Sequence, residues 1–176
     1  AETLFALHGL LDRHHALDLP NGETVRLRDD VRVFGTMNPT DLRDYAGTQT
    51  LNKAFADRWV IWEKDFPSED DLTSMHQRRY PDLAEVYVEA IVRLATEVNE
   101  SFGSADSGTS VETPMSLRAT LDRLPVGLRL HETAGDPLRR AWESMVLPHV
   151  DAYDRDHYET VWNAVVRKGP DSAPWG

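Results

Sequence analysis

The sequence predicts an α/β segment followed by an all-helical one, and three observations carry that prediction. Alternating apolar residues flank Asn21-Gly22 in the stretch Ala16 to Leu27, the strongest short-range signal for a β-hairpin. Two β-rich, almost uninterrupted apolar runs read as buried core strands: Val31-Arg32-Val33-Phe34-Gly35-Thr36-Met37-Asn38 and Trp59-Val60-Ile61-Trp62. Beyond Phe66–Ser68 the apolar residues recur at helical spacing only. These changes set three parts: 1–67 as α/β, 68–168 as α-helical, and 169–176, rich in Gly and Pro, as a disordered tail.

Each element follows from local chemistry. Leu4, Phe5, Leu7, Leu10 and Leu11 mark an opening helix that reaches about His14. The first core strand ends in a polar tip at Asn38, Pro39 to Gly47 is a loop, and Thr50 to Trp59 a short helix. Pro67-Ser68-Glu69-Asp70-Asp71 ends the second strand and opens a helix with acids in its first turn, where they complement the positive end of the helix dipole. The most regular helix runs from about Asp82 to Ser101. Its stripe of Leu83, Val86, Tyr87, Ala90, Ile91, Leu94 and Val98 lies opposite Glu85, Glu89, Arg93 and Glu97. After a loop at Gly103 to Thr109, Thr113-Pro114 reads as an N-cap followed by Pro at the first helical position. Two more helices follow, at about 137–150 and 154–167, with Trp142, Tyr153, Tyr158 and Trp162 expected in the core.

Composition narrows the function classes. Of 176 residues, 19 are Lys or Arg and 30 are Asp or Glu, a formal charge of −11 that repels a phosphate backbone and argues against general nucleic-acid binding. There is no Cys, so disulfides, thiolate metal sites and a Cys nucleophile are excluded. No apolar run approaches the roughly 20 residues of a membrane span, and no signal-peptide pattern is present. The expectation is a cytoplasmic protein. The seven His residues offer no metal-ligand pairing, and adjacent His14-His15 do not face one site, so no metal is expected. Asp151, Asp154, Asp156 and Glu159 lack the glycine and the other ligands of a calcium loop and read as a solvated acidic face. Arg78-Arg79 and Arg139-Arg140 read as surface pairs.

Three segments, in order, carry a resemblance. Phe34-Gly35-Thr36-Met37-Asn38-Pro39 resembles the fourth core strand of an AAA+ ATPase, whose terminal Asn is the first sensor residue. The stretch Tyr45-Ala46-Gly47-Thr48-Gln49-Thr50-Leu51-Asn52-Lys53-Ala54-Phe55-Ala56-Asp57-Arg58-Trp59 is similar to the segment with the helix that carries the arginine finger in the MoxR-type, CbbQ/NirQ/GvpN and dynein-like groups of that family. Met115-Ser116-Leu117-Arg118-Ala119 looks like the Ser-x-Arg of the second sensor on the lid. Gly9-Leu10-Leu11-Asp12-Arg13 and the hairpin match the segments after the Walker B strand and before the first sensor. The likeness spans roughly Leu4 to Leu124 and is most specific in the second segment.

The resemblance implies a partial αβα core with an all-α lid, working in an ATP-hydrolysing remodelling chaperone or activator that forms a ring, usually a hexamer, with a protein substrate or adaptor as partner. It implies catalytic roles for Asn38 and Arg58 and a nucleotide-binding role for Arg118. A neutral Asn at a strand tip orients the attacking water without changing local charge. An Arg fork grips two phosphate oxygens and never deprotonates, which suits Arg58 in a neighbour's site and Arg118 in its own. Alone, Asn38-Pro39 is an ordinary turn, Asp57-Arg58 an exposed ion pair and Arg118 a helix surface residue; their order and spacing together point to the family. The departure is large: no Gly-x-x-x-x-Gly-Lys-Ser/Thr and no upstream Asp-Glu strand is present, so ATP and Mg²⁺ would be held mainly by residues outside this chain. The chain is expected to be a piece whose N-terminal half lies elsewhere, an expectation favoured by its mid-helix start. The alternatives are a non-catalytic remnant serving as a scaffold, or part of a nucleotide-driven motor of the same clade.

Overall fold

Asn21-Gly22 turns the chain as expected, in a computed structural model that describes residues 8–12, 15–37, 53–102 and 111–176. Strand β1 (Ala16–Asp18) pairs antiparallel with β2 (Thr24–Arg26) in the register Ala16↔Arg26, Leu17↔Val25 and Asp18↔Thr24. Gly22 has a φ of 86°, a left-handed conformation that favours Gly, and the Asn21 side chain accepts the Glu23 N–H at 3.1 Å. The chain divides into two units, Ala1–Lys64 and Asp65–Gly176, each described by itself below. The first unit contains helix α1 (His8–Leu11), the hairpin and a short helix α2 (Lys53–Ala56).

The described residues of the two expected core strands of the first unit, 31–37 and 59–62, are not in a sheet. Among the described residues, 31–37 and 59–64 have no regular structure, and Phe34 is 90% exposed, Val60 99% and Trp62 89%. The physical reason is that an extended segment satisfies its backbone only through a neighbouring strand. The hairpin is the one sheet among the described residues, and its two arms pair with each other. The sequence pattern is that of buried strands, while the Phe34, Val60 and Trp62 side chains are exposed.

The second unit is helical and holds the hydrophobic core. Helix α3 (Glu69–Arg79) opens on Ser68, whose hydroxyl accepts the Asp71 N–H at 3.2 Å, with Glu69, Asp70 and Asp71 in the first turn. Helix α4 (Glu85–Glu100) buries Tyr87, Ile91, Leu94, Ala95 and Val98 completely and turns Glu85, Glu89, Arg93 and Glu97 outward. Val86, expected on the buried stripe, is exposed, and Val88 and Val92 are buried instead. Helix α5 (Leu124–Leu130) continues a π-helical turn at Ala119–Arg123 and packs on α6 (Pro137–Ala141). The approach there is close: a Cβ on Gly127 would lie 2.7 Å from the Ala141 Cβ. Helix α6 runs on through a π turn (Trp142–Val146) and a 3-10 turn (Leu147–His149), and α7 (Arg155–Val165) packs on α4. Trp142 lies between Tyr158 and Trp162, with ring centroids 5.6 and 5.5 Å away. Tyr153, expected in the core, is 95% exposed because it lies before α7 begins, off its apolar face.

Residues 169–176 differ from the expected disordered tail. Gly169 donates its N–H to Asp136 at 3.0 Å, and the Pro174 carbonyl accepts the Ala84 N–H at 2.9 Å at the start of α4. The buried Tyr87 hydroxyl donates to the Ser172 carbonyl at 2.7 Å, and the Arg129 guanidinium lies 3.8 Å from the Trp175 ring centre. The Gly and Pro content that suggests disorder here supplies turns instead, because Tyr87 and Arg129 give the segment partners in the helical unit.

His76 on α3 is fully buried, and neither ring nitrogen has a hydrogen-bond partner among the described residues. Burial pushes its pKa down to about 4. Its folded pKa lies below the unfolded value, so as pH falls the unfolded chain takes up a proton first. The helical unit therefore keeps its full stability above about pH 6.5 and loses about 3 kcal/mol from this group on reaching pH 4. His76→Leu, which removes the titration at similar volume, is expected to flatten that part of the stability profile in denaturant titrations at pH 7 and 4.5. An unchanged acid sensitivity in the variant would contradict the assignment.

Candidate functional site

Of the three residues expected to act on a nucleotide, Asn38 lies outside the described residues, Arg58 lies in the first unit and Arg118 in the second. Arg58 follows α2 in a tight turn: the Asp57 N–H reaches the Lys53 carbonyl at 2.9 Å, and the Trp59 N–H reaches the Ala56 carbonyl at 3.0 Å. Beneath it Phe55 is buried and meets the Trp59 ring edge-on at 5.8 Å. The guanidinium donates from Nε to Asp12 at 2.7 Å and from Nη1 to the Ala54 carbonyl. Nη2 has no partner among the described residues. Arg58 lines an open groove of about 940 Å³, together with Phe34, Val60, Trp62, Arg28, Arg32 and Lys64. Asp29 also lines the groove, and Arg28 and Arg58 are paired with Asp30 and Asp12, both at 2.7 Å.

Arg118 is exposed and has no hydrogen bond or ion pair among the described residues. What leads into it is firmly held. The Asp154 carboxylate, buried at the start of α7, accepts the Thr113 N–H at 2.6 Å and the Glu112 N–H at 3.1 Å. Asn99 on α4 accepts the Met115 N–H at 2.8 Å and donates to the Met115 carbonyl at 3.2 Å. Tyr158 donates its hydroxyl to the Thr113 carbonyl at 2.9 Å; burial, and then the Asp154 charge, push its pKa up, so it stays a donor. The helix start differs from expectation. Ser116, not Thr113, accepts the first free helical N–H, that of Ala119 at 3.2 Å, because Thr113 is engaged with Asp154 and Asp151.

Several residues read as solvated surface have structural partners. Asp154 is buried, and Glu159 pairs with Arg139 at 2.7 Å. Arg139 also meets Glu143 at 2.8 Å and lies over the Trp162 ring, so it is half-buried, whereas Arg140 is exposed. Arg79 is exposed and pairs with Asp122. Nothing local in the sequence marks Asp12 or Asn99 as a partner, and the one signal for Asp154 is its place one residue before a helix. Among the described residues, no group of three or more His, Cys, Asp or Glu side chains gathers as a metal-ligand set, and no helix is long and apolar enough to cross a membrane.

No family model matches the chain. Its curated relatives are staphylococcal proteins described only as uncharacterized. One from Staphylococcus epidermidis is 23% identical over 165 residues, 93% of this chain and 57% of the relative. One from Staphylococcus saprophyticus matches to the same extent, and one from Staphylococcus haemolyticus is 27% identical over 123 residues, 69% of this chain and 44% of the relative. The chain thus spans about half the length of the curated relatives it matches. No solved structure matches it.

The clamp on residues 112–115 is open to a direct check. Asp154→Ala removes the acceptor of two N–H groups and is expected to destabilise the helical unit by about 2 kcal/mol. Amide exchange at Glu112 and Thr113 should accelerate with it, and Asp154→Asn should fall between. Unchanged exchange at both amides would contradict the role assigned to Asp154.

Proposed function

We propose that this chain is the C-terminal half of an AAA+ module of MoxR-like character, with its helical lid, and that it works with a nucleotide-binding N-terminal half in an ATP-driven ring that remodels a protein partner. The observation that carries the reading is the state of residues 31–37 and 59–64. Two apolar, β-rich segments lie exposed beside Arg58, which is what such strands look like without the rest of a central sheet. The length of the relatives beyond the matched part supports it, because that is where a phosphate-cradling loop and the acids for Mg²⁺ would have room.

The residues present fit the cationic share of such a site and not the rest. Among the described residues Nη2 of Arg58 has no partner, and Arg118 carries an unpaired guanidinium on a clamped segment; both suit phosphate oxygens. Bound ATP with Mg²⁺ would supply the γ-phosphoryl group whose transfer to water releases the energy. Arg58 neutralises negative charge in a neighbouring protomer's site, Arg118 holds a phosphate oxygen in its own, and Asn38 orients water. The clamp from Asn99 and Asp154 ties the position of Arg118 to the lid core, so a change at the nucleotide is felt by the helices.

The test uses the longer protein containing this chain. Arg58→Ala is expected to lower nucleotide turnover by on the order of 10³-fold while nucleotide affinity stays within a few-fold. Turnover equal to that of the unaltered protein would overturn the reading of Arg58. Absence of nucleotide binding by the longer protein would favour a scaffold role instead.

A further inference from the structure

The partner of Arg58 is the acid that closes α1, 46 residues away in sequence. Helix α1 ends at Leu11 and is tied to the hairpin at once. The His15 N–H reaches the Asp12 carbonyl at 3.0 Å, the Leu27 N–H reaches the His15 carbonyl at 2.7 Å, and a Cβ on Gly9 would lie 2.6 Å from the Ala16 carbonyl oxygen. Asp12 thus projects from a rigid corner. Its carboxylate meets Nε of Arg58, and the Ala54 carbonyl meets Nη1. Anchors at Nε and Nη1, which lie on different edges of the planar guanidinium, fix its plane and leave Nη2 at the outer end without a partner among the described residues.

The energetics say what this pair is for. Both side chains are partly exposed, 29% for Arg58 and 43% for Asp12, and pairs of that kind add little to stability. What the contact fixes is orientation. An unanchored Arg samples many rotamers, and freezing them at the moment of reaction is costly. We propose that Asp12 is a positioning residue: by holding Nε, it presents Nη2 of Arg58 in one direction, ready for phosphate oxygens. This rests on the reading of Arg58 as a cation that acts on a nucleotide. Asp12 itself touches no nucleotide, and no bond is made or broken at it.

The test compares Asp12→Asn, Asp12→Glu, Arg58→Ala and the Asp12→Asn/Arg58→Ala double variant in the longer protein, with two readouts. The first is the Arg58 Nε–H signal in ¹H–¹⁵N spectra without nucleotide, assigned by its loss in Arg58→Ala. Asp12→Asn should speed its exchange with water about tenfold, and Asp12→Glu should restore part of the protection. The second is turnover. Asp12→Asn should lower kcat about 10- to 100-fold with KM within twofold, and should add nothing in the Arg58→Ala background. Unchanged Nε–H exchange, unchanged kcat, or a further loss in the double variant each overturns the positioning role while leaving Arg58 as a catalytic cation. If Arg58→Ala itself turns over normally, the reading of Arg58 fails, and the role of Asp12 fails with it.

Discussion

A β-strand satisfies its backbone only through its neighbours, and that constraint governs the first unit. Residues 31–37 and 59–64 carry the composition of central strands: β-branched and aromatic, nearly continuous, with few charges. Among the described residues they have no ladder partner, and Phe34, Val60 and Trp62 face solvent. Covering each such side chain is worth about 1.5–3 kcal/mol, so a handful left bare forfeits stability comparable to that of a small domain. The hairpin, by contrast, satisfies itself, and it forms. In the helical unit the described helices close backbone hydrogen bonds within themselves, and residues such as Tyr87, Leu94, Leu128 and Trp142 are buried in a common core.

The two units therefore prepare cations in different ways. Arg118 is exposed on a segment whose backbone is clamped from two helices by Asn99, Asp154 and Tyr158. Arg58 is held directly by its side chain between a helix end and its own turn. One arrangement fixes the main chain and leaves a guanidinium that is unpaired among the described residues. The other fixes the guanidinium plane. Under the proposed function the first suits a residue that reports lid position to its own nucleotide, and the second suits one that must meet a site supplied by another protomer.

Legibility in the sequence follows the range of the interactions. The hairpin, the acid-rich start of α3 and the long stripe of α4 were all readable, because turn chemistry and helical period are local. The contacts that hold Arg58 and the Arg118 segment were not readable: Asp12 to Arg58 spans 46 residues, and Asp154 to Thr113 spans 41. The same applies to residues 169–176, whose Gly and Pro content hides a docking made by Tyr87 and Arg129 across most of the helical unit. Acidic residues between 151 and 159 misled for a related reason. Charge alone says solvent, and only the fold shows that one carboxylate is a buried acceptor and another an Arg partner.

The most direct measurement of the central claim is hydrogen exchange of residues 31–37 and 59–64, compared between this chain alone and the longer protein. If these are core strands lacking their sheet, their amides exchange within seconds in the isolated chain and are protected by several orders of magnitude in the longer protein, while α4 is protected in both. Equally fast exchange at both segments in the longer protein would contradict the account.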